Sequence, residues 1–234
     1  MSRNEPRRRK IGGLDCIEVQ GKAGAPAVIL FHGYGADMHD LASLADVVQA
    51  PRDCSWYFPN GHISIPLGGQ YEGRAWFPIS ISELEKSHVD GQGIDFSSVI
   101  PPGMKKARER ALSLIEELKI PANRLVLGGF SQGAMLATDV TMHMKDAPAG
   151  LALLSVTLAN SEEWKRLAPA KKGLRFFQSH GSRDAVLSYA AAQKLEVLLR
   201  GGGWQGQLQR FEGAHEIPSE VLIQLGAFLR KVLS

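Results

Sequence analysis

The chain has 234 residues, 44% of them apolar and 22% charged, with a formal net charge of +3. That is the length of one large domain or at most two, with apolar residues enough for a substantial core. No apolar run approaches the roughly 20 residues of a membrane-spanning helix, and two cysteines, Cys16 and Cys54, are too few for a disulfide framework and point to a reducing, cytoplasmic setting.

The N-terminus reads MSRNEPRRRKIGG. It is positively charged but no apolar h-region follows it, so it does not read as a signal peptide. Arg7, Arg8, Arg9 and Lys10 form a basic tetrad that could touch nucleic acid or anionic lipid. The rest of the chain lacks the interleaved aromatic and basic residues of single-strand binders. Residues 1–12 are therefore expected to be a solvated, flexible tail, with no nucleic-acid partner and no stable membrane insertion. A single domain would then occupy 13–234.

GLDCIEVQ (13–20) alternates weakly and suits an edge strand or an early hairpin. AVILF (27–31) is a continuous apolar run, the pattern of a strand buried on both faces. CSWYF (54–58) predicts another strand, closed by the turn residues Pro59, Asn60 and Gly61. From there to about Gly103 no clean period appears. An irregular stretch of that length (59–103) is usually functional or mobile, and a lid or substrate wall is expected there.

GMKKARERALSLIEEL (103–118) has helical apolar spacing at Ala107, Ala111, Leu114, Ile115 and Leu118, and Ile120-Pro121 stops it. LVLGGF (125–130) is a strand, GAMLATDVTMHM (133–144) a helix and GLALLSV (150–156) a strand. LRFFQSH (174–180) is a strand, followed by the helix SYAAAQKLEVLLR (188–200) and three glycines. QLQRF (207–211) is a short strand and SEVLIQLGAFLRKVL (219–233) a closing helix. The alternation predicts an α/β fold with a mainly parallel central sheet, helices on both faces and no large cap domain.

Gly129, Phe130, Ser131, Gln132 and Gly133 form G-x-S-x-G between a strand and a helix, the setting of a nucleophile elbow. A bare Gly-rich turn is the plainer reading, but the strand and helix on either side favour the elbow. Ser131 would stand above the carboxyl edge of the sheet, where ligands bind in open α/β folds. The first N–H groups of the following helix lack intrahelical partners, which makes the Gln132 amide a candidate oxyanion donor. A serine hydroxyl needs a base, and in such folds the acid and then the histidine follow it, each after a strand. His215, in FEGAHEIP, follows a strand and precedes the last helix. Asp184, in HGSRDAV, is the sole carboxylate between its strand and the next helix. His180 follows a strand but precedes the acid. His32 is expected to stabilise a turn, and His39, His62, His88 and His143 have no strand-end placement. Asp139 and Asp146 read as exposed charges.

The second oxyanion donor should come from the loop after an early strand. His32-Gly33-Tyr34-Gly35-Ala36-Asp37 fits, with the glycines freeing the Tyr34 N–H to turn inward. A dinucleotide fingerprint would need glycine where Met38 stands. Cys54 reads as a buried structural thiol, and the histidines have no zinc-site spacing, so no metal is implied.

Taken together, FHGYGAD, RAWFPI, GFSQGAMLA and HGSRDAV…GAHEIP resemble the bacterial carboxylesterase and acyl-protein thioesterase (phospholipase/carboxylesterase) family of α/β-hydrolases, from about residue 26 to the C-terminus. The resemblance implies Ser131 as nucleophile, Asp184 as acid and His215 as base, with the Tyr34 and Gln132 amides as oxyanion hole. It implies a loop-holding role for Asp37 and a place beside the site for Trp76. It also implies a cofactor-free, mostly cytoplasmic enzyme, in some members a homodimer. Pro78 stands where the family commonly has an aspartate, and 78–103 does not match closely. Trp76, Phe77 and Leu67 are candidates for an apolar acyl wall, with core packing the alternative. The expected function is hydrolysis of carboxylic esters or thioesters: short to medium acyl esters, lysophospholipid or acyl-protein thioester. A silent binding module on the same fold, or a peptidase or lipase of another hydrolase branch, are the alternatives.

Overall fold

The computed structural model describes residues 5–69, 71–79, 96–98 and 100–234. Ten strands are described: β1 (Arg7–Ile11), β2 (Leu14–Val19), β3 (Ala27–Phe31), β4 (Ser55–Pro59), β5 (Ile63–Gly68), β6 (Tyr71–Ala75), β7 (Leu125–Phe130), β8 (Gly150–Leu154), β9 (Phe176–Gly181) and β10 (Leu208–Phe211). Eight of them form one sheet in the order β1-β2-β4-β3-β7-β8-β9-β10. From β4 to β10 the neighbours run parallel, and β1 and β2 close the other end antiparallel.

The central strands have two buried faces because helices cover both. Along β3, Ile29 and Phe31 point to one core and Val28 and Leu30 to the other, the period of two that a pleated strand imposes. The first core takes side chains from α2 (Met104–Leu118), α3 (Gln132–His143), α4 (Ser161–Leu167) and α5 (Tyr189–Gly201). The second takes them from α1 (Leu44–Val47) and α6 (Ser219–Leu233). Each fully buried Leu, Ile or Phe stabilises this arrangement by about 1.5–3 kcal/mol relative to exposure. The α/β architecture read from the sequence is the one observed. The short helix α4 was not foreseen, although its acidic first turn (Glu162, Glu163) and basic last turn (Lys165, Arg166) are a readable signal.

Two expectations need correction. The basic tetrad is not part of a loose tail: Arg7–Ile11 is the edge strand β1, in antiparallel register with β2 from Arg7↔Glu18 to Ile11↔Leu14. Gly12 and Gly13 join the two strands, both at positive φ (58° and 79°), which makes Gly-Gly the favoured turn chemistry. The charge misled because an edge strand keeps charged side chains in solvent while its backbone pairs inward. Arg9 also meets Glu18 at 3.1 Å. The stretch 59–103 is likewise not irregular throughout. β5 and β6 form a separate antiparallel hairpin, with a register shift between Pro66 and Gly68. Its signal was present but passed over: Ile63, Ile65 and Leu67 alternate with Ser64, Pro66 and Gly68, and Ile63 and Ile65 are half-buried where Ser64 and Pro66 are exposed. The lid expected over 78–103 falls mostly outside the described residues.

Candidate active site

The turn from β7 into α3 holds Ser131 at φ 55°, ψ −120°. That is a sparsely populated conformation for a non-glycine residue, costing about 1–3 kcal/mol. The surroundings enforce it. The Ser131 N–H donates to the Leu154 carbonyl at 2.9 Å, and a β-carbon at Gly133 would lie 2.0 Å from the Phe31 oxygen. Ser131 occupies the N-cap position of α3, yet its hydroxyl makes no capping hydrogen bond. The side chain is therefore not committed to the helix.

Gln132 opens α3 and is buried. Its Oε1 accepts the Trp76 backbone N–H at 2.9 Å, and its Nε2 donates to the Phe77 carbonyl at 2.7 Å. Trp76 in turn donates its indole N–H to the His32 carbonyl at 2.9 Å. Its ring meets Phe31 edge-on, centroids 5.2 Å apart. Trp76 and Phe77 are both 0% exposed. They lie in the core behind the cleft and brace its floor, so the acyl wall assigned to them is corrected. A Trp-Phe pair at a strand end has the same sequence signature whichever way it faces. Leu67, 55% exposed on β5, is also absent from the cleft wall; its Cδ2 lies 3.7 Å from where a β-carbon at Gly35 would sit.

The loop after β3 is pinned by β6. Gly35 N–H donates to the Arg74 carbonyl at 2.9 Å and Arg74 N–H to the Ala36 carbonyl at 2.8 Å. Asp37 accepts the His39 N–H at 2.8 Å. His32 is buried and accepts the Gly61 N–H on Nε2 at 2.9 Å, so its proton resides on Nδ1, 2.7 Å from the Gly33 oxygen. Burial lowers its pKa to about 4, against the opposing effects of the Gly33 carbonyl and Asp37. His32 is thus a neutral brace of the loop that carries Tyr34.

On the other side, His215 Nδ1 lies 2.6 Å from Asp184 Oδ2. Asp184 Oδ1 accepts the N–H groups of Val186 and Leu187 at 2.8 and 2.9 Å. Burial alone would raise the pKa of this carboxyl. Hydrogen bonds from His180 and His215, the His215 charge and the Leu187 N–H outweigh it and hold the group well below the usual carboxylate range. The His215 ring packs on Phe130, centroids 4.7 Å apart. Ser155 Oγ donates to the Glu216 carbonyl at 3.2 Å and steadies the His215 loop.

Ser131, Gln132, Tyr34 and His215 come together around one cleft of about 230 Å³. Its apolar wall is made by Ile79, Phe96, Phe130, Met135, Val186 and Leu187. None of the six was assigned to the wall by residue from the sequence, although Ile79 and Phe96 lie in the 59–103 stretch expected to form a lid or substrate wall; they come from five separate segments with no shared motif. Asp40 also lines the cleft, its pKa raised by burial and by Asp37.

Elsewhere, Asp139, His143 and Glu163 offer ligand atoms within 4.8 Å of one another. Asp139 is not the exposed charge expected, being fully buried. Arg108 at 2.8 Å and Trp164 at 3.0 Å already engage its two oxygens, so the group is a structural network. Cys54 is buried, as read from the sequence, and so is Cys16.

A serine at positive φ between a parallel strand and a helix places the chain among the α/β-hydrolases, and its chemistry is that of a serine hydrolase acting on esters or thioesters. The profile of the phospholipase/carboxylesterase family matches residues 14–233, and the chain belongs to that family. Among its relatives, acyl-protein thioesterase 1 of Candida albicans is 24% identical over 93% of this chain and 96% of its own. Acyl-protein thioesterase 1 of Eremothecium gossypii is 28% identical over 92% and 91%. Among solved structures, esterase PE8 superposes with a TM-score of 0.77 at 23% identity, covering 94% of this chain and 99% of its own. The Bacillus cereus carboxylesterase gives 0.67 at 20%, covering 94% of each. At those identities the two structures speak for the fold alone. No helix among the described residues is long and apolar enough to cross a membrane.

Proposed function

We propose that the chain hydrolyses carboxylic esters or thioesters of short to medium acyl chain through an acyl-enzyme on Ser131. His215 takes the Ser131 proton as Oγ attacks the carbonyl carbon, then delivers it to the leaving alcohol or thiol. Water, deprotonated by the same imidazole, releases the acid in the second half. Asp184 orients His215 and stabilises its cationic form. The Tyr34 and Gln132 backbone N–H groups receive the oxyanion.

The observation that carries this reading is the 2.6 Å His215–Asp184 contact, with His215 and Ser131 on one apolar cleft. The cleft's size and walls favour a small or lipid-like acyl group. The thioesterase names of the relatives favour thioesters, and lysophospholipid presents the same carbonyl chemistry. Buried thiols at Cys16 and Cys54 agree with work in the reducing cytoplasm.

The test is labelling by a fluorophosphonate probe alongside turnover of a p-nitrophenyl ester, on wild type and on Ser131→Ala checked for folding by circular dichroism. Wild type alone should label and turn over. A well-folded Ser131→Ala protein that still hydrolyses the ester would sink the reading.

A further inference from the structure

His180 has no task in the scheme above, yet it ends β9 fully buried against the acid. Its Nε2 lies 3.2 Å from Asp184 Oδ2 and 3.1 Å from the Leu187 carbonyl. Both are acceptors, so this nitrogen carries a proton. Its Nδ1 is buried with no hydrogen-bond partner among the described residues. A proton there would be an unmatched buried donor, which disfavours both the Nδ1–H tautomer and the cation. His180 is therefore the neutral Nε2–H form. Asp184 then receives four donors, two on each oxygen: Val186 and Leu187 on Oδ1, His215 and His180 on Oδ2.

We propose that His180 is a positioning residue for the hydrolysis: as a second donor on Oδ2 it fixes the Asp184 carboxylate against His215. The inference rests on the reading of Asp184 and His215 as acid and base. The same Nε2–H reaches the Leu187 carbonyl, so it also braces the 184–187 loop, whose Val186 and Leu187 line the cleft. Among the described residues, Tyr34 and Asp40 line the cleft with His215, and Glu216 follows it in the chain. Asp184 and His215 belong to this chain of contacts, and Tyr189 of α5 stands with its ring centre 5.9 Å from His180. Ser131 shares the cleft with His215. Arg183 and Glu212 face each other at its exposed end.

The test compares kcat and KM against pH for p-nitrophenyl acetate in wild type, His180→Leu and His180→Gln. Loss of the donor in His180→Leu should lower kcat about ten-fold across the pH range with KM changed less than about two-fold. His180→Gln, whose side-chain N–H can stand near the Nε2 position, should recover most of the lost kcat. A folded His180→Leu enzyme with the wild-type profile, or a His180→Gln enzyme no better than it, overturns the proposal. Imidazole 15N spectra of the wild type keep it testable if the leucine variant does not fold. His180 should stay neutral and Nε2-protonated while His215 titrates, and an Nδ1–H or cationic His180 would overturn the assignment. Failure of the hydrolytic reading itself would appear separately, as a wild type that no fluorophosphonate labels.

Discussion

The two sides of the cleft are held by different kinds of bond. On the Tyr34 and Gln132 side the fastening is neutral and buried: β6 backbone to the β3 loop, the Gln132 amide to Trp76 and Phe77, and neutral His32 between Gly61 and Gly33. On the Asp184 and His215 side a single carboxylate gathers the loops after β9 and β10. The first side is a shape, fixed by amide geometry. The second is a charge, and its geometry depends on that charge being present. A donor array for a developing oxyanion gains from rigidity, whereas a base must change its protonation in each half-reaction.

The largest effect should come from removing the charge while keeping the shape. Asp184→Asn is expected to lower kcat on the order of 10⁴-fold, with KM little changed, because the amide favours the wrong imidazole tautomer. Steady-state kinetics check this, and a loss under ten-fold would mean the acid lies elsewhere. The converse experiment is Gln132→Leu, which leaves the Trp76 N–H and the Phe77 carbonyl buried without their partner. It should cost about 2–6 kcal/mol of stability in urea unfolding, at about 1–3 kcal/mol for each of the two orphaned groups. An unchanged midpoint would show that the amide network is incidental.

Next in size is the pH dependence of the neutral side. The folded-state pKa of His32, about 4, lies below the unfolded value near 6.5. The unfolded chain therefore takes up the proton first. The stability His32 contributes is complete above about pH 6.5, falls as pH drops to about 4, and is constant below. The loss is about 3 kcal/mol, at about 1.4 kcal/mol per pH unit. Unfolding curves across that range should lose this slope in His32→Gln. The Asp184 contribution starts to be lost as pH falls through the ordinary carboxylate range and goes on falling below it, so its window begins about where that of His32 ends. The smallest effect concerns specificity. Phe96→Ala should broaden the cleft toward longer acyl chains by a few-fold in kcat/KM, whereas Leu67→Ala should leave the length profile unchanged.

The contrast also explains what was legible in advance. Ser131, Asp184 and His215 sit at strand ends in a fixed chain order, so strand patterns alone locate them. The elements behind them were readable because their strands are buried on both faces and their helices carry regular apolar stripes. Trp76 and Phe77 could be tied to the site but not oriented, because facing the cleft and facing the core leave the same letters. Gln132 was noticed for its backbone and not for its side chain, whose partners lie 55 and 56 residues away. His180 was judged only as a rival base, so its contact with the acid went unseen. The alternation of β5 was passed over behind its Pro66 and Gly68, and β1 was masked by its own charges.

Those charges have one more consequence. An open sheet has two edges, each with a row of backbone groups unpaired within the sheet, and here one edge is β10 and the other is β1, with Arg7, Arg8, Arg9 and Lys10 all exposed. A second copy docking edge to edge would bring cation against cation at strand spacing, about 4.8 Å. Arg9 has the Glu18 carboxylate at 3.1 Å to offset it in part. The basic tetrad thus leaves the domain's own hairpin intact while making the pairing of β1 with the β1 of a second copy electrostatically costly.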